Sequence, residues 1–212
     1  MSTASSASGE RRNQKIKYTH LIVLDFEAQC LDGAPKPRPQ EIVEWPLVVV
    51  DIESRAVVDE FHTFVKPTAH PNVFPFTTQL TGVTQADVDG GVEIDEAMSL
   101  ADAFIAKYND DEMRALVVTC GHWDLRTALF DECRFKRFAV PRSLKQWCNV
   151  KLIFQQHYKL PKPLGMDGML QHLKMELIGR HHSGIDDARN IARLVIRLLE
   201  DGAELVANGH SA

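Results

Sequence analysis

The sequence predicts a layered α/β domain in which a five-stranded mixed sheet lies between helices. Three observations carry this reading. Residues 21–24 are apolar at every position, and residues 115–120 are nearly so; strands apolar on both faces belong in the middle of a covered sheet. Residues 41–52 and 56–66 flank a turn at 51–55, so three antiparallel strands open the domain. Two later stretches, 94–105 and 185–199, place apolar residues at helical spacing.

The elements follow in chain order. Residues 20–24 form the first strand, and Asp25 and Glu27 come next at a spacing of two, which in an extended chain points both carboxylates to one side. Two such carboxylates repel each other and raise one pKa, whereas a divalent cation such as Mg²⁺ keeps both ionised. Asp-x-Glu alone also fits a strand that has simply reached solvent. Residues 31–39 hold three prolines and a glycine, a loop that cannot pair in a sheet. After the second and third strands, residues 76–80 suit a short helix and Thr81-Gly-Val-Thr84 a turn. A helix over 94–108 leads to the strand at 115–120. Gly121-His-Trp-Asp124 then places Asp124 at a strand-to-helix junction, where an N-cap is its plainest structural role. Residues 147–149 make the fifth strand and 150–158 a helix. Two more helices are marked by Met169, Leu170, Leu173 and Leu177, and by Ile191, Leu194, Val195 and Leu198.

At 212 residues, 44% of them hydrophobic, the chain is long enough for one core and short for two. We assign residues 1–17 to a disordered arm, 18–201 to the domain and 202–212 to a loose tail. No apolar run approaches the ~18 residues of a membrane span, and the start lacks the apolar core of a secretory signal. Cys30, Cys120, Cys133 and Cys148 show no C-x-x-C spacing and read as free thiols in a reducing compartment. An intracellular protein of the cytoplasm or nucleus is expected, with no membrane partner. Arg11, Arg12, Lys15 and Lys17 are compatible with a weak nuclear address. The Ser-rich, Arg-bearing start also has some look of a transit peptide, against which Glu10 and the missing amphipathic pattern count. A net charge of -5 argues mildly against a nucleic-acid partner, but residues 133–166 contain no Asp or Glu and eight Lys or Arg, a local basic surface on an acidic chain.

The second informative stretch is Gly179-Arg-His-His-Ser-Gly-Ile-Asp-Asp187. Ser183 and Asp186 match a capping box, which gives Asp186 a structural task. Asp187 has none; the helix dipole there favours its ionised form and suits a metal ligand. His182, five residues earlier, cannot share the helical face of Asp187 and reaches the site from the loop, with Gly184 supplying flexibility. Alone, a loop histidine is as readily a solvated one.

Asp25 and Glu27, Asp124, then His182 with Asp187 form an ordered set, and the set resembles the DEDDh pattern of 3′-to-5′ exonucleases. More narrowly, the chain is similar to the group containing the enhanced-RNAi exonuclease, the three-prime histone-mRNA exonuclease and Snipper. The likeness covers residues 18–200 through Leu24-Asp-Phe-Glu-Ala28 with Cys30, Glu41-Ile-Val-Glu-Trp-Pro46, Leu80-Thr-Gly-Val-Thr84 with Val88-Asp89, Trp123-Asp-Leu125, Trp147 with Asn149 and Lys151, and Gly179-Arg180 through Arg193. Gln29 departs from the Thr often found there, next to the first carboxylates, and bears on how the terminal nucleotide is held. No SAP-like RNA-binding region precedes the domain, so Snipper-like breadth is expected over specific stem-loop recognition.

The resemblance implies a ribonuclease H-like fold and metal-dependent removal of nucleoside monophosphates from RNA 3′ ends, single-stranded or overhanging, with single-stranded DNA as a further substrate. Asp25, Glu27, Asp124 and Asp187 would hold two Mg²⁺ or Mn²⁺ ions, and His182, with an ordinary pKa near ~6.5, would act as general base. By the same likeness Ala28, Leu80, Thr81, Trp123 and His182 contact substrate; for Leu80 and Trp123 ordinary core packing stands beside that role. Three other readings compete: a DNA-directed proofreading exonuclease, a non-catalytic RNA-binding scaffold, and a structural metal domain. The complete set of acids and histidine disfavours the scaffold, and an all-carboxylate cluster suits exchangeable hard cations better than Zn²⁺.

Overall fold

The computed structural model describes residues 18–33, 35–109 and 114–211. The arm expected over 1–17 lies outside the described residues. Seven strands form one mixed sheet: β1 (His20–Leu24), β2 (Glu27–Ala28), β3 (Ile42–Asp51), β4 (Ala56–Phe64), β5 (Ala115–Thr119), β6 (Gln146–Asn149) and β7 (Gly209–His210). β1 lies between antiparallel β3 and parallel β5; β6 runs parallel to β5, and β4 pairs with the far edge of β3. The expected count of five is therefore low by two. β2 resumes the line of β1 after a break at Asp25 and Phe26, and pairs with β3 across a bulge. β7 comes from the segment expected to be a loose tail. That expectation fails because the segment satisfies groups that would otherwise be buried unpaired. Asn208 accepts the Asn149 amide and donates to the Asn149 carbonyl, β7 pairs antiparallel with β6, and Leu205 is buried.

The helices are α1 (Pro75–Thr81), α2 (Gln85–Asp89), α3 (Ile94–Ala106), α4 (Leu129–Lys136), α5 (Val150–His157), α6 (Met166–His172) and α7 (Gly184–Glu200), with a π-helical turn over Asp124–Ala128. The all-apolar β1 is explained by its two neighbours. Ile22 and Leu24 join a core with residues of α3 and α4, while Leu21 and Val23 face a second core built with α5, α6 and α7. Side chains of period two thus need both faces apolar when both are covered. The expected turn at 81–84 is followed by α2, opened by a Thr84–Asp87 capping box.

One basic residue of the 133–166 stretch proves internal. Lys136 donates to Glu132 at 2.7 Å and to Glu41 at 2.8 Å, and its side chain is 10% exposed. Glu41 also accepts the amides of Thr68, Ala69 and His70, and Glu132 accepts that of Ile42. Burial pushes the Glu41 carboxyl up, but Lys136 and the three amides prevail and hold it below its ordinary value. Lys136→Met would leave two buried carboxylates facing each other. It is expected to cost about 3 kcal/mol, read as a lower urea midpoint at unchanged m-value.

Candidate active site

The site lies at the carboxyl ends of parallel β1 and β5, where the two strands leave their ladder at Leu24 and Thr119. Crevices at such strand ends are where layered α/β sheets bind ligands. Asp25 follows β1 directly, and Glu27 sits on β2 opposite Glu44 of β3. Asp124 opens the π turn after β5; its Oδ1 accepts the Phe26 amide at 3.0 Å, which ties it between the first two acids. Its side chain therefore serves the β1–β2 break, and the N-cap position of the turn falls to Trp123. Asp187 lies in the first turn of α7 and accepts the His182 amide on Oδ2 at 2.9 Å. Oxygens of Asp25, Glu27 and Asp187 come within 4.8 Å of one another.

This concentration of acid in low-dielectric surroundings has one electrostatic outcome. Burial first, then Asp124, Glu27, Asp187 and Glu44, hold Asp25 well above the usual carboxylate range. Glu27 is pushed up to about 9 by burial and by Glu44, Asp187 and Asp124. Asp124 and Asp187 each rise to about 6, burial being the main cause; the Phe26 amide and Lys151 restrain the first, the His182 amide and His181 the second. Asp187 Oδ1 is buried with no hydrogen-bond partner among the described residues. An unsatisfied buried carboxylate oxygen beside further carboxylates fits a hard divalent cation, which would supply the missing partner and the missing positive charge.

His182 stands in the left-handed region at φ 64, in the turn before α7, so it does reach the site from the loop. Its ring stacks on that of His181 with centroids 4.0 Å apart, and His181 Nε2 lies 3.9 Å from Asp187 Oδ2. Burial, His181 and Arg180 lower the His182 pKa below its ordinary value, keeping the ring neutral and able to accept a proton.

Two local readings of the sequence are corrected here. The Ser183 side chain makes no capping hydrogen bond. The start of α7 is capped instead by Glu44, 3% exposed, which accepts the amides of Gly184 at 3.0 Å and Ile185 at 3.1 Å and faces His62 Nε2 at 2.9 Å. Asp186 turns back to accept the Arg180 amide. Gly184 serves close approach and not flexibility: an added Cβ would meet the Asp25 carbonyl oxygen at 3.0 Å and the Glu44 carboxyl carbon at 3.1 Å.

Gln29 is fully buried. It donates to the carbonyls of His70 and Asn72 and accepts from the Phe74 amide and the Thr77 hydroxyl, thereby anchoring the start of α1. At the other end of α1, Arg180 donates to the carbonyls of Gln79 and Leu80, joining the Leu80 turn to the histidine loop. Glu44 and Arg180 had no assigned role in the sequence, and Gln29 was tied to the terminal nucleotide rather than to the anchoring of α1. A Glu within the otherwise apolar strand segment 42–50 was the available signal for Glu44. Leu80 and Trp123 are half-buried, and the Trp123 Nε1 has no hydrogen-bond partner among the described residues, whereas Ala28 and Thr81 are buried. The Thr81 hydroxyl donates to the Thr77 carbonyl and accepts from the Val83 amide.

A family model described as an exonuclease matches residues 22–195. ERI1 exoribonuclease 3 of Homo sapiens is 36% identical over 188 residues, covering 88% of this chain and 55% of that protein. ERI1 exoribonuclease 2 of Xenopus laevis is 36% identical over 217 residues, 94% of this chain and 31% of that protein. The chain thus spans about a third to just over half the length of these relatives. The nuclease domain of 3'hExo, a DEDDh family member bound to rAMP, superposes with a TM-score of 0.83 at 32% identity, over 91% of this chain and 98% of that one. A 3'-exonuclease structure showing 3'-end recognition of a histone mRNA stem-loop gives a TM-score of 0.85 at 31% identity, over 91% and 86%. The fold is ribonuclease H-like, among the described residues no helix is long and apolar enough to cross a membrane, and the chain belongs to the exonuclease family, in its DEDDh 3′-5′ branch.

Proposed function

We propose that this chain is a divalent-metal-dependent 3′-to-5′ exoribonuclease that releases nucleoside monophosphates from RNA 3′ ends. The observation that carries the reading is the meeting of Asp25, Glu27 and Asp187 within 4.8 Å, with Asp124 bound to the Phe26 amide between them. The relatives named above are exoribonucleases by name, and one of the solved structures that the chain resembles holds rAMP.

Asp25, Glu27, Asp124 and Asp187 would hold two Mg²⁺ or Mn²⁺ ions, four formal negative charges against four positive. When bound, such ions activate water, spread charge on the phosphoryl oxygens and stabilise the departing 3′-oxygen. The protein's own contribution is position and proton transfer. His182, kept neutral by burial and by His181 and Arg180 beside it, takes the proton of the attacking water. Asp187 fixes the backbone of that histidine through its amide. Leu80 and Trp123 offer apolar faces to the terminal bases, a form of contact that is indifferent to sequence.

A time course on 5′-labelled single-stranded, blunt and 3′-overhang RNA and DNA tests the proposal. With Mg²⁺ or Mn²⁺, RNA is expected to shorten stepwise from its 3′ end and chelator to stop it. Shortening from the 5′ end, or equal rates in chelator, would overturn the reading. Faster loss of matched DNA would move the chain to the proofreading type.

A further inference from the structure

Beside the carboxylates runs a groove of about 510 Å³, walled on one side by the 36–40 loop and on the other by the π turn and α4. It adjoins the site through the π turn: the Lys36 ammonium, on its wall, lies 5.8 Å from the centroid of the Trp123 ring, and Trp123 directly precedes Asp124. The same π turn that carries Asp124 inward presents Thr127 to the groove. Three exposed cations, Lys36, Arg38 and Arg134, line it against a single acid, Asp131, and none of the three is ion-paired among the described residues. That is a positive wall on a chain of net charge -5. Phe135, also in the groove, is 62% exposed, an aromatic face left in solvent with no core to serve. Pro37 and Pro39 are buried, so the loop that displays Lys36 and Arg38 is a fixed edge.

We propose that this groove binds the single-stranded RNA segment leading into the carboxylate centre, with Phe135 stacking on a base and Lys36, Arg38 and Arg134 meeting phosphates. Cations for the backbone and an aromatic for base faces are what a sequence-indifferent single-strand site requires. The inference rests on the exonuclease reading for its direction: the 3′ end sits at the carboxylates and the strand extends along the groove.

The test measures binding of a 15-nucleotide single-stranded RNA by fluorescence anisotropy in chelator, across a salt series, and so reads the groove without catalysis. Arg38→Ser with Arg134→Ser, and separately Phe135→Ala, are compared with Lys159→Asn with Lys162→Ser, which removes equal charge outside the groove. Melting temperature confirms that each variant folds. The arginine pair is expected to weaken binding at least about 10-fold and to flatten the log Kd against log salt slope by about 1.4, at about 0.7 per lost phosphate contact. Phe135→Ala is expected to weaken binding about 5–150-fold at unchanged salt slope, since one stacked base is worth about 1–3 kcal/mol. Equal weakening by the lysine pair, or unchanged affinity in the groove variants, would overturn the proposal. If parental protein binds this RNA with a groove-dependent salt slope yet fails to shorten it with Mg²⁺, the exonuclease reading falls and the groove stands.

Discussion

An Asp25→Asn variant is expected to lose about 10³-fold or more in Mg²⁺-dependent RNA hydrolysis and, in chelator at pH 8, to melt at a higher temperature than the parent. The first effect follows from taking one of four anionic ligands out of a charge-stabilising centre. The second follows from electrostatics: Asp25 is held above the usual carboxylate range by burial and by Asp124, Glu27, Asp187 and Glu44. The metal-free site is therefore a region of mutual repulsion, and a neutral side chain of the same shape relieves it. A rise of at least about 2–4 °C is expected, the shift that about 1 kcal/mol produces in a chain of this length. The sign of the pH dependence follows from the same values. Folded-state carboxyls raised above their unfolded pKa near ~4 bind more protons than the unfolded chain, so their stabilising effect is complete below about pH 4. It is lost as pH rises, through about 6 for Asp124 and Asp187 and about 9 for Glu27. Parental melting temperature in chelator should thus decline between pH 5 and pH 9, and Mg²⁺ should flatten the curve. A parent whose melting temperature ignores both metal and pH, or a variant that still turns over, would contradict the assignment.

Much of this site was readable along the chain, because its chemistry needs particular residue types that the fold must deliver from rigid places. The two-sided apolar strand announced β1, and Asp25 and Glu27 could only leave it at the sheet's carboxyl end. Their partners were legible as acids without an adequate local task, Asp187 above all. The failures share a cause. The capping box at Ser183 and Asp186 satisfied a local rule, yet the Gly184 and Ile185 amides of α7 donate to the buried Glu44 carboxylate of β3, which His62 also meets. The helix expected to run on to Leu177 ends near His172, with Lys174 in the left-handed region at φ 55, while Leu173 and Leu177 still pack on the core from irregular chain. Apolar spacing marks burial and does not by itself mark helix. Gly209 and His210 carry no strand preference and pair only because β6 leaves an edge open beside Asn149. Each miss is a partner from a distant part of the chain overriding a pattern that was locally sufficient.

His182→Ala should slow RNA hydrolysis about 10²–10⁴-fold while changing RNA affinity less than about 2-fold, since a general base acts on the attacking water and not on the bound strand. Two histidines make the assignment a real choice, because His181 lies stacked on His182 at 4.0 Å and 3.9 Å from Asp187. The pH profile separates them. A base that works in its neutral form loses activity as pH falls through its pKa, and for His182 that pKa sits below the ordinary imidazole value because burial, His181 and Arg180 all oppose its protonation. The acidic limb of kcat/KM should accordingly fall below about pH 6.5 in the parent. His181→Ala removes one of the groups that oppose protonation, so the limb should move to higher pH while turnover on the alkaline plateau drops less than about 10-fold. If His181→Ala instead abolished turnover at every pH and His182→Ala spared it, the proton would be leaving through His181, and the His182 amide bond to Asp187 would be purely structural.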